Sequence, residues 1–206
     1  MDRATLKENA KKSLKGKYKN AIIVLLIAGV ITFLVSFVSG IIGGALDFNE
    51  NNTKTLNSII SFFVIGLFYF GYLSFFLKIS RNKEVEVNEL WSKTNMYLSY
   101  LGLSILVGII VSIGFVLFII PGIILALMYS QVFFIMLDDE KIGITDAMKK
   151  SREMMNGHKW EYFVLILSFF GWMFLGILTF GILLFWVVPY MNVTTCNFYN
   201  QLKGAK

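Results

Sequence analysis

The chain has 206 residues, a net charge of +6 and 56% hydrophobic residues against 16% charged ones. Asp, Glu, Lys, Arg and His are missing altogether from residues 21–46, 55–77, 94–137 and 162–202. No soluble domain leaves so much of its chain uncharged, so the medium of this fold is a lipid bilayer. The runs lack the alternation of apolar and polar residues that barrel strands require, which leaves an all-α membrane protein.

Residues 1–20 open the chain with Leu6, Ala10, Leu14 and Tyr18 recurring every four residues among lysines, the pattern of a basic amphipathic helix. A signal peptide is the rival reading, but its apolar core runs about 7–15 residues and the run that follows here is much longer. The runs 21–46 and 55–77 are one span each, since a bilayer core takes roughly 20 helical residues. The two later runs are twice that length and predict hairpins. The first breaks at Pro121-Gly122, because Pro cannot continue the helical bonding and Gly tolerates a turn. The second breaks at Thr179-Phe180-Gly181. Six helices follow, at about 21–46, 55–77, 97–119, 122–137, 160–178 and 181–201. They group as hairpin units 21–80, 81–137 and 138–206 within one integral membrane domain.

Six spans place residues 1–20, 78–96, 138–161 and 201–206 on one side. All 19 Lys and Arg except Lys54 lie there. Cytoplasmic loops carry the basic excess, so both termini are expected in the cytoplasm of a multi-pass plasma-membrane protein. The bases sit beside spans and no nucleic-acid motif accompanies them, so the basic balance reads as a phospholipid-surface signature and not as a nucleic-acid site.

Each hairpin is expected to follow a cytoplasmic amphipathic helix. Ile144, Ala147, Met148, Ser151, Met154 and Met155 carry the helical spacing before the third; the segment around Val87, Leu90 and Trp91 carries it more weakly before the second. The first and third segments share wording. Ala10-Lys11-Lys12-Ser13 then Gly16-Lys17-Tyr18 stands against Ala147-Met148-Lys149-Lys150-Ser151 then Gly157-His158-Lys159-Trp160. Three copies of one unit, or simply basic juxtamembrane helices, account for this equally well.

The opening Arg3, Leu6-Lys7, Ala10-Lys11 and Leu14-Lys15-Gly16 resembles a bacterial membrane family catalogued as domain of unknown function 975. So do Ser151, Met154-Met155-Asn156-Gly157-His158-Lys159-Trp160, then Gly171-Trp172, Leu178-Thr179-Phe180-Gly181, Pro189-Tyr190 and Asn197-Phe198-Tyr199. The family is distantly similar to the membrane domain attached to some glycerophosphodiesterases, whose catalytic domain has no counterpart here. The resemblance implies a bacterial plasma-membrane protein and supplies no activity.

No paired intramembrane carboxylates, phosphate-cradling loop or Cys/His set appears, so no catalytic residue, cofactor or metal is expected. The lone Cys196 can form no internal disulfide. His158 has Asp138, Asp139 and Glu140 as candidate partners, but an interfacial role beside Lys159 and Trp160 is the stronger reading. The acidic run itself reads as the solvated end of the fourth span.

Two features remain. Tyr129, Ser130 and Gln131 in the fourth span, with Pro189, Tyr190, Asn192 and Thr195 in the sixth, form a candidate polar intramembrane cluster. It is either a headgroup cavity or interhelical hydrogen bonding, with Gln131 and Asn192 as mutual partners. Thr32, Ser36, Gly40 and Gly44 repeat every four residues as a small-residue packing face, for use within the chain or against a partner or second copy. The expected function is non-enzymatic: a scaffold or accessory that binds lipid or another membrane protein. A carrier of lipid or a small amphipathic solute, and immunity against membrane-active peptides, are the alternatives.

Overall fold

The structure, a computed structural model, describes residues 2–204, and every regular element among them is helical. Helix α1 (Arg3–Leu14) starts at Asp2, whose carboxylate accepts from the amides of Ala4 and Thr5, each at 3.1 Å. This cap satisfies two of the helix's orphan donors. The helix buries Leu6, Ala10, Ser13 and Leu14 and is separated from α2 by Gly16 at φ 80°, a left-handed turn suited to Gly. Helices α2 (Tyr18–Ala45) and α3 (Glu50–Ser80) form the first hairpin. Asn49 caps α3 by accepting from the Asn52 amide at 2.9 Å.

Two short 3-10 helices, Val87–Trp91 and Thr94–Met96, occupy the place where a second amphipathic α-helix was expected. The segment is seated directly on α3. A Cβ on Gly71 would lie 2.0 Å from the Leu90 carbonyl oxygen.

Helix α4 (Tyr97–Leu117) turns into α5 (Ile119–Met128) through the extended residue Phe118. The break therefore precedes Pro121 and does not fall on Pro121-Gly122. Pro121 sits in the first turn of α5, where its missing N–H costs no hydrogen bond. The expected fourth span 122–137 is also interrupted: α5 stops at Met128, and α6 (Val132–Asp138) begins after a tight turn over residues 129–131. Ser130 Oγ bonds back to the Leu127 carbonyl at 2.8 Å, one local alternative to the helix ladder.

Helix α7 (Ile144–Met154) buries Ala147, Met148, Ser151 and Met154 and is followed by Gly157 at φ 81°. The fifth span is two helices, α8 (Lys159–Leu167) and α9 (Phe170–Leu178), broken where Ser168 Oγ bonds to the Leu165 carbonyl at 2.5 Å. The turn at Phe180 (φ 51°) and Gly181 (φ 85°) falls where it was expected. Helix α10 (Leu184–Gly204) ends the fold, with Pro189 inside it.

Among the described residues, five segments are long and apolar enough to cross a membrane: Tyr18–Ala45, Glu50–Ser80, Val87–Leu117, Ile119–Asp138 and Lys159–Leu178. Helix α10 is not among them, because its second half is rich in Asn and Thr. It nevertheless lies alongside α3. Asn192 Nδ2 donates to Tyr72 Oη and Asn200 Nδ2 to Ser80 Oγ. Both pairs are 120 residues apart, so the two helices run parallel and in step.

Candidate functional site

The structure divides the expected polar cluster. Asn192 Nδ2 donates to Tyr72 Oη at 3.0 Å and to the Val188 carbonyl at 2.9 Å, not to Gln131. Thr195 Oγ1 donates to the Asn192 carbonyl at 2.8 Å. Tyr190 faces the N-terminal helix: its ring packs edge-on against Phe169 at 5.3 Å and lies 5.6 Å from Lys11 Nζ. Gln131 sits apart from all three. It is fully buried, and its Nε2 donates to Ser130 Oγ at 2.9 Å. The Tyr162 hydroxyl approaches the same amide, yet Oε1 has no hydrogen-bond partner among the described residues. Tyr129 packs half-buried against the core. The mutual Gln131–Asn192 bond is thus replaced by a bond to Tyr72, which nothing in the sequence pattern sets apart from the other aromatics of its apolar helix.

The small-residue face is turned outward. Thr32, Ser36, Gly40 and Gly44 are all exposed, and a Cβ on Gly40 or Gly44 would meet open space. Intrachain packing of α2 uses the neighbouring row Val35, Ser39 and Gly43. A Cβ on Gly43 would lie 2.5 Å from Thr53 Oγ1, so Gly43 is where the first hairpin closes.

Asp138 is no solvated helix end. Arg81 reaches it with both terminal nitrogens at 2.8 Å, Tyr199 Oη donates to it at 2.9 Å and Lys203 Nζ at 2.7 Å. Arg81 Nε also donates to Asn200 Oδ1 at 3.0 Å. A two-point guanidinium–carboxylate pair of this kind fixes orientation as well as charge. The bond to Asp138 holds the Arg81 guanidinium above its ordinary value. Arg81, which caps the end of α3, meets side chains of α6 and α10 here. The signal available in the sequence was that Asp138 directly ends an uncharged run on the side where bases collect.

Nearby groups make parallel joints. Lys78 Nζ and Ser74 Oγ both donate to Glu89, each at 2.6 Å, tying the first 3-10 helix to α3. Lys93 Nζ donates to Glu140 at 2.5 Å, and that bond holds the Glu140 carboxyl below its usual range. Asn197 Nδ2 donates to the Leu6 carbonyl at 3.2 Å and docks α1 on α10. Ser151 Oγ donates to the Met128 carbonyl at 2.8 Å, using an acceptor at the break between α5 and α6. His158 meets Glu161 on its own helix at 2.9 Å and not the run Asp138 to Glu140.

A family described as "Protein of unknown function (DUF975)" matches residues 1–126 and 109–206. The chain belongs to this family. No curated protein and no solved structure matches it.

Proposed function

We propose that the chain is a six-span bacterial plasma-membrane protein, both termini cytoplasmic, that acts by binding and not by catalysis: a scaffold or accessory to lipid or to another membrane protein. The observation that carries this reading is where the polar side chains of α10 go. Asn192, Asn197 and Asn200 are bonded to Tyr72, to the Leu6 carbonyl and to Ser80. They join helices, as polar groups inside membranes commonly do, and do not line a site. What the bundle offers to other molecules is its outer apolar faces and its basic end. The parallel course of α10 and α3 supports α10 as the sixth span, and Arg81 and Lys203 at one end support that end as cytoplasmic.

The test is native mass spectrometry of the protein gently extracted from its own membrane. A bound protein or a defined homo-oligomer is expected. A bare monomer would overturn the scaffold. Cross-linking through Ser36→Cys then asks whether the outward face of α2 is the contact, since small residues there would let a second helix approach closely.

A carrier is the second reading, and Gln131 favours it. A buried amide oxygen without a partner is costly and suits a transient ligand hydroxyl or a water. Gln131→Leu should then abolish transfer of the solute while the protein still folds. Unchanged transfer removes the carrier.

A further inference from the structure

The geometry points to a binding site for one anionic phospholipid headgroup in the groove between the end of α7 and the start of α8. The groove, of about 360 Å³, is lined by Met128, Lys149, Arg152, Glu153, Asn156 and Lys159. That is room for a phosphodiester headgroup, within the range of roughly 300–1,000 Å³ typical of small-ligand sites.

Helical spacing assembles it. Lys149, Arg152 and Glu153 fall at i, i+3 and i+4 of α7, opposite the buried row Ala147, Met148, Ser151 and Met154, and Asn156 follows in the turn to α8. The Ser151–Met128 bond pins this helix against the broken fourth span. Lys159 is the first residue of α8, whose positive end therefore opens at the groove. Three cations against one carboxylate line the space. Among the described residues none of the three takes part in an ion pair, unlike Lys78, Arg81, Lys93 and Lys203.

The occupant is a lipid and not a free anion because the groove adjoins membrane-facing surface. Its floor, Met128, closes α5. Ile124, one turn away on the same helix, is 43% exposed. Trp160, beside Lys159, is 72% exposed and stacks on Phe163 with ring centroids 5.5 Å apart, as an aromatic at the headgroup level does. A headgroup phosphate held by the cations leaves its acyl chains along those faces. This deepens the lipid-binding part of the proposed function and rests on the α7–α8 junction facing the cytoplasm.

The test uses the full chain in nanodiscs of equimolar phosphatidylglycerol and phosphatidylcholine, with retained lipid read by native mass spectrometry. Wild-type protein should keep one phosphatidylglycerol with a preference on the order of tenfold. The pair Lys149→Gln and Arg152→Gln should lose it, and Lys12→Gln with Lys15→Gln at the end of α1 should not. Glu153→Gln, which removes the opposing charge and leaves the buried row intact, should raise the preference and decides the matter if the double variant fails to fold. Equal retention of the two lipids by wild-type protein would overturn the site. So would an equal loss in the α1 control, or displacement of the lipid by inorganic phosphate. Labelling of Asn156→Cys in sealed vesicles reads the topology separately: reaction only from the outer face overturns the orientation, whatever lipid is retained.

Discussion

From Gly66 to Ile79, helix α3 buries ten residues, among them Phe70, Phe75 and Phe76; from Glu50 to Ile65 the same helix buries none. The contrast runs through the molecule. At the end that carries Arg81, Asp138 and Lys203, side chains from different hairpins meet in hydrogen bonds and ion pairs. At the opposite end the close contacts lie within hairpins: Gly43 on Thr53, Gly122 on Phe115, Gly176 on Leu184. There Val116 and Phe118 are exposed, and Phe180 is almost completely so. Lipid tails are as apolar as these side chains, so burying them against one another gains little. Cohesion between helices therefore comes from close backbone approach and polar bonds, and the second kind is concentrated at one end. The fold is a clamp at its basic end, from which the apolar helices extend.

Breaking the clamp should produce the largest effect. Asp138→Ala removes the acceptor shared by Arg81, Tyr199 and Lys203 and leaves a partly buried guanidinium without its carboxylate. We expect a loss of about 3 kcal/mol, near the lower end for a broken buried pair because Arg81 retains some solvent. The unfolding midpoint in detergent measures it. Asp138→Asn should recover part of the loss through the remaining acceptor. No change in midpoint would mean that α3, α6 and α10 are held together elsewhere.

Gly71→Ala sharpens the same contrast by packing alone. The new methyl would meet the Leu90 backbone, which cannot rotate away, so an overpacking cost of about 2 kcal/mol is expected. Gly122→Ala, at the other end, first meets a side chain, the Phe115 ring, and not backbone, and should cost less. Limited proteolysis between α3 and α4 distinguishes them: the Gly71 variant should become cleavable at residues 83–93 and the Gly122 variant should not.

The division between the two ends was only partly legible in the sequence. Uncharged runs revealed an all-helical membrane chain because length and missing charge are one-dimensional signals. The turn at Phe180-Gly181 was equally visible, since it needs a residue type that tolerates positive φ. The breaks at 129–131 and Ser168 were not visible. They depend on Ser back-bonding and, at 129–131, on a donor from another helix, Ser151 Oγ to the Met128 carbonyl, which no local window contains. The small-residue stripe of α2 was legible as a pattern but not as a direction: the row that packs is Val35, Ser39 and Gly43, one position earlier. Asn192 was recognisable as needing a partner, but Tyr72 is 120 residues away, and only the packing of α10 on α3 selects it over Gln131.

Asn192→Leu tests that choice. It removes a single interhelical bond, and about 1 kcal/mol of stability should be lost. Tyr72→Phe should cost a similar amount, and the double variant no more than either alone, because both delete one bond. Additive losses would mean that Asn192 and Tyr72 serve different partners.

The smallest effect belongs to the exposed rim of the clamp. Lys93 and Glu140 are 2.5 Å apart with side chains 27% and 38% exposed, so solvent screening limits the pair to less than about 1 kcal/mol. The sign is set by the Glu140 carboxyl, which the hydrogen bond from Lys93 holds below its ordinary 4.5. A carboxyl whose folded value is depressed contributes stability above its unfolded value and loses it as pH falls through the folded one. The increment should therefore be intact at neutral pH and begin to fall only below about 4.5, going fully as the folded carboxyl is protonated. Glu140→Gln should flatten that part of the pH profile while leaving the midpoint at pH 7 almost unmoved. An acid loss that survives Glu140→Gln would belong to the deeper carboxylates, Asp138 and Glu89, both ion-paired, and would place the pH sensitivity inside the clamp and not at its rim.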